Sequence, residues 1–137
     1  MARKVIEYTV KDEGRDQNKV FVITEMPARQ AMKWATRALV ALVHAGVSVP
    51  DEIVGSGLAG IAAAGFGQLS NLKFADIDPL MDELLSCVQY RSDPVKNPTF
   101  TRPLFEDAVE EVSTYFQLQK AAFDLHTGFL QAVAQST

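Results

Sequence analysis

The chain has 137 residues, 47% of them hydrophobic and 22% charged, with a net charge of −4 and a pI near 5.1. That length predicts one domain with a core large enough to need neither disulfide nor metal, and the acidic balance argues against nucleic acid as a partner. One cysteine, Cys87, excludes an internal disulfide and fits a reducing cytosol. Arg3 and Lys4 are followed by no apolar run of signal-peptide length, and charges interrupt the longest apolar segment, so neither a leader nor a membrane span is expected.

In chain order, Val5–Val10 alternates and is rich in β-branched residues, and Lys19–Glu25 repeats the pattern. With polar 12–18 between them, where Gly14 and Asn18 are available for turns, they predict an antiparallel hairpin over residues 1–25. A lone hairpin is marginal in water, so its apolar face must lie on a helix or a neighbouring subunit.

A helix is predicted from Pro27, suited to the first helical position, to Gly46, suited to the residue just past the end. Ala28, Ala31, Met32, Ala35, Ala38, Leu39 and Leu42 make its apolar face, and Arg29, Lys33, Thr36, Arg37 and His44 the opposite one. Trp34 falls at the margin, and Val40 lies inside the polar arc. Val40 is therefore a lone exposed apolar residue or a partner contact.

Residues 47–54 read as a connector, and a small-residue helix is expected over about Leu58 to Leu69. A third helix is expected from Ile77 to Val88, with Asp78 as N-cap, Pro79 as first residue, and Leu80, Leu84, Leu85 and Val88 buried. Pro94, Pro98 and Pro103 predict an extended loop or edge segment over 91–103. The last helix is expected over Glu106–Ala134, its acidic start favourable at the positive end of the dipole. Val109, Val112, Phe116, Phe123 and Leu130 are its predicted core stripe. Leu118, Leu125 and Phe129 form a second apolar line, which either packs on the rest of the chain or docks a partner. The fold class is thus mainly α (α+β): a hairpin, then about four helices over 27–134, the last one long.

No catalytic constellation is legible. Gly55-Ser-Gly-Leu-Ala-Gly60 matches G-x-G-x-x-G, but no buried strand precedes it and no strand–helix alternation follows, so close helix packing explains the glycines. His44 and His126 stand on different helices without a Cys or acid at metal spacing. Glu110 and Glu111 are adjacent and diverge on a helix, and Cys87 sits in no nucleophile motif. No cofactor, metal or catalytic residue is expected, and the chain reads as an interaction domain rather than an enzyme.

Several segments, in order, resemble one family: Lys19–Ala28 leading into Lys33–Leu39, then Ala45–Ile53, Gly57–Ala63, Arg102–Leu104 and Glu110–Val112. The set, spanning about Lys19 to Phe129, is similar to the tail assembly chaperones of long, non-contractile-tailed phages and prophages. The resemblance implies a protein of the host cytoplasm, absent from the finished virion. It would bind the tape measure protein, keep it soluble and help recruit major tail protein. The broadly apolar end of the last helix adds the expectation of a homo-oligomer, and charge and hydropathy that of no nucleic-acid or membrane partner. The partner-binding residues expected, from the apolar pattern rather than from the resemblance, are Leu118, Leu125, Phe129 and Val40. The alternative is a virion component such as a head–tail completion or tail terminator subunit.

Overall fold

The computed structural model describes residues 3–46 and 65–136, with side chains up to Thr127 apart from Glu106. The expected hairpin is present: β1 (Val5–Thr9) pairs antiparallel with β2 (Val20–Thr24), Tyr8 opposite Phe21. Asn18 takes a φ of 71° in the connecting loop, a left-handed turn that asparagine tolerates better than most side chains.

The hairpin does not stand alone. β3 (Val88–Arg91) pairs with β2, and the short β4 (Arg102–Pro103) pairs with β3, giving a four-stranded antiparallel sheet in the order β1-β2-β3-β4. Val88, expected to end a helix, instead opens β3 opposite Ile23. Its run, Val-Gln-Tyr-Arg, alternates with period two, and Ser86 ends the preceding helix. The proline-bearing stretch keeps its loop character at 92–101, and Pro103 sits on the edge strand, where its missing N–H breaks no inner ladder.

Phe21 and Ile23 are fully buried on the face that meets the helices, the Phe21 ring 5.3 Å from Tyr90. Val20 and Val22 point to the other face, which the ion pair between Glu7 and Arg91 crosses.

α1 spans Ala28–His44. Pro27 is its cap rather than its first residue, and Gly46 just beyond the end has a φ of +86°, as the pattern predicts. Trp34 is not marginal. It is 2% exposed, its indole N–H donates to the Leu80 carbonyl at 3.0 Å, and its ring meets Phe123 edge-on. Met32, assigned to the apolar face, is exposed instead.

The expected small-residue helix falls mostly outside the described residues. Its end, Phe66–Asn71, forms 3-10 turns. α2 spans Phe74–Leu85, starting a turn earlier than expected. Lys73 is its cap, not Asp78, and Pro79 lies inside the helix, where it supplies no N–H to the Ala75 carbonyl. Leu80 and Leu84 are buried as expected.

α3 spans Val112–Ser136, 25 residues and about 37 Å long. Its start is six residues later than expected, because Glu106–Ala108 forms a 3-10 turn and Val109 is extended. The acidic residues at 106–111 therefore precede the helix. The core lies between the inner sheet face and α1, α2 and α3, with Leu39, Leu42, Leu69, Leu118 and Phe123 at its centre.

Candidate functional site

Of the four residues singled out as partner contacts, Leu118 is overturned. It is 0% exposed and belongs to the core with Ala122 and Phe123. Leu125 is half-buried against that core, and the side chain of Phe129 lies outside the described residues. Val40 is exposed.

The stripe assigned to the core divides instead. Val109 and Phe123 are buried, while Val112 and Phe116 are 72% and 62% exposed, and the Leu130 side chain is outside the described residues. Val112, Phe116 and Phe123 lie near one line along the helix. Phe123 is covered because the Phe66 ring meets it at 5.3 Å and Trp34 at 6.1 Å. About two turns earlier Phe116 has no such cover among the described residues. The result is an apolar step, Val112 above Phe116, at the N-terminal end of a helix otherwise anchored in the core.

That end is held from the hairpin loop. The Asp16 carboxylate, 1% exposed, accepts from the Glu110 N–H at 2.9 Å, the Glu111 N–H at 2.8 Å and Lys19 Nζ at 2.8 Å. Lys19 also donates to the Ala108 carbonyl at 3.0 Å. Burial pushes the Asp16 carboxyl up, but hydrogen bonds from Lys19, Thr114 and the two backbone amides outweigh it and hold the group well below the usual carboxylate range. Outside this cap, Arg15 Nε donates to Glu111 at 3.0 Å and Arg15 Nη2 to the Glu110 carbonyl at 2.7 Å. Glu110 and Glu111 thus help fix the helix start and do not diverge on a helix as expected.

Val40 belongs to a second surface, an open groove of about 380 Å³ between α1 and α2. Val40, Ala41, Ala75 and Pro79 line it with Arg37 and Asp76. Met32 and Val43 are also exposed on α1.

Two groups that could carry chemistry, His126 and Cys87, are engaged in the packing. His126 is 9% exposed; its Nε2 accepts the Met26 N–H at 2.8 Å and its Nδ1–H donates to the Ala122 carbonyl at 2.7 Å. Burial, and then the charge of Glu83, push the Cys87 thiol up to about 11 against a hydrogen bond with Ser86, far from thiolate reactivity at neutral pH. Among the described residues no cluster of three or more His, Cys, Asp or Glu could hold a metal ion, and no helix is long and apolar enough to cross a membrane. The segment Gly55–Gly60 lies outside the described residues.

Sequence reading missed Asp16, whose partners other than Lys19 are about a hundred positions away and leave no local signal. It also placed Val112 and Phe116 inside. Their helical spacing was visible, but the aromatic cover that ends beyond Phe123 was not. Compared with protein families, curated proteins and solved structures, the chain matches none.

Proposed function

We propose that this chain is a tail assembly chaperone of a long, non-contractile-tailed phage or prophage. It binds the tape measure protein in the host cytoplasm, keeps that long helical chain soluble and helps recruit major tail protein around it. It is not retained in the virion and catalyses no reaction.

The observation that carries this reading is the exposed pair Val112 and Phe116, one turn apart on a rigidly held helix end. Apolar residues at i and i+4 are what one helix presents to another. Each would give about 2 kcal/mol of transfer free energy on burial, before the costs of association. One such contact is weak. Many copies along one extended client add, because each later contact forms at high effective concentration. The ordered segment resemblance from Lys19 to Phe129 supports the same reading.

The test is co-expression with the tape measure protein encoded in the same genome, followed by sizing of the soluble fraction. Soluble tape measure protein eluting with several copies of this chain supports the proposal. Insoluble tape measure protein without co-elution, together with this chain in purified particles, would replace it with the virion-component reading.

A further inference from the structure

α1 and α2 lie side by side and antiparallel: Pro27 is near Ser86 and Cys87 at one end, and His44 is near Ala75 and Asp76 at the other. Their charges are segregated. α1 carries Arg29, Lys33, Arg37 and His44 and no acid, whereas α2 carries Asp76, Asp78, Asp82 and Glu83 and no base. An ion pair joins them, Arg37 to Glu83 at 2.7 Å. Between the two charged ridges runs the groove floored by Val40, Ala41, Ala75 and Pro79. Val40, in this groove, is 48% exposed.

We propose that this face is a two-fold interface with a second copy of the chain, the α1–α2 layer of one protomer packing on the α2–α1 layer of the other. A face that pairs with itself must be self-complementary. A basic ridge beside a shorter acidic ridge meets that condition, over the length of the acidic one, for one choice of axis. A two-fold axis running along the helices sets α1 of each copy over α2 of its partner, base on acid, with the two apolar grooves facing. An axis across the helices would set α1 on α1, base on base. The charge pattern therefore selects the first arrangement and excludes the second. The two helices, about 25 and 18 Å long, form a face of about 400–500 Å² in projection, roughly half of the 800 Å² per partner that a stable dimer buries. This inference is independent of the chaperone reading, and its test contains no tape measure protein.

The experiment is sedimentation equilibrium of the full chain alone at tens of micromolar. The wild type is expected as a dimer of two 15.0 kDa copies. Lys33→Glu and Asp82→Lys, both at exposed positions, each place like charges across the axis twice and should weaken the dimer by at least about tenfold. Mixing the two variants should restore it, because every contact in the mixed dimer is again base on acid. Val40→Asp should give a monomer with unchanged far-ultraviolet circular dichroism. If that variant loses structure, the two charge variants and their mixture decide alone. A monomeric wild type, a dimer indifferent to the charge changes, or a mixture that fails to reassemble would each overturn the proposal.

Discussion

The Thr114 hydroxyl, in the first turn of α3, donates a hydrogen bond at 2.7 Å to a carboxylate oxygen of Asp16, in the loop of the N-terminal hairpin. The same carboxylate takes the backbone N–H groups of Glu110 and Glu111, just ahead of the helix. A helix normally finds such an acceptor in its own preceding residue. Here a residue almost a hundred positions upstream supplies it, so one cap also ties the hairpin to the last helix. Lys19 neutralises the buried charge and fixes the Ala108 carbonyl.

Removing that carboxylate strands two backbone donors, a hydroxyl and an ammonium in a closed site. Asp16→Ala should therefore lower the unfolding free energy by about 3 kcal/mol, more than an ordinary surface cap gives. Urea denaturation checks it. A loss below about 1 kcal/mol would mean that water replaces the carboxylate at no cost.

The same site sets a pH dependence. The folded Asp16 carboxyl is held below its unfolded value, near 3.9, so in the window between the two the unfolded chain binds more protons. Stability then rises with pH. The Asp16 contribution is complete above about pH 5, shrinks from about pH 4 and is lost only as pH falls through the folded value. Glu111 adds to the same limb, because its hydrogen bond from Arg15 lowers its carboxyl too. Asp16→Asn should flatten the acid limb, so that the stability difference from wild type narrows below about pH 4 and is constant near neutrality.

His126 makes a comparable long-range tie. Its Nε2 accepts the Met26 N–H, which lies between β2 and α1, and its Nδ1 proton goes to Ala122 on its own helix. His126→Phe keeps an aromatic ring but leaves a buried N–H unpaired. The expected cost is about 2 kcal/mol, read by thermal or urea unfolding. A neutral result would show that solvent reaches the Met26 amide.

How far the sequence could be read follows from where each signal resides. Val5–Val10 and Lys19–Glu25 carry alternation and a polar turn within a few residues of each other, and the hairpin they predict is present. Gly46 marks the end of α1 through a local need for positive φ. β3 was hidden because the alternation of Val88–Arg91 is only four residues long and follows an apolar helical run. Pro79 misled the start of α2 because proline suits the first turn so well that its place inside a helix is the rarer reading. On α3 two apolar lines were visible, Val112 with Phe116 and Leu118 with Leu125. Trp34 and Phe66, supplied by distant segments, cover the first line only where it reaches Phe123. The exposed surface was therefore assigned to Leu118, which the structure buries completely.

Cys87 gives a chemical check on the packing between α2 and β3. Burial and the nearby Glu83 hold its thiol up to about 11, and its Sγ sits 3.7 Å from the Glu83 carbonyl. At pH 7 a disulfide reagent should label it at least about tenfold more slowly than a free thiol with a pKa near 8.5, and labelling should reach one equivalent quickly in denaturant. Fast labelling of the folded chain would mean that this corner opens readily.

The division along α3 separates folding from client binding. Val112→Asp and Phe116→Asp alter side chains that are largely in solvent, so each should shift stability by no more than about 0.5 kcal/mol. Under the proposed function the double variant should fail to keep the tape measure protein soluble on co-expression. Leu118→Ala removes a fully buried side chain and should cost about 3 kcal/mol. Any Leu118→Ala protein that remains folded should still hold the client, since its surface is unchanged. Soluble tape measure protein with the Val112 and Phe116 double variant would move the binding surface away from the start of α3. Lost solubilisation with a fully folded Leu118→Ala protein would show that core packing, rather than this exposed pair, governs the interaction.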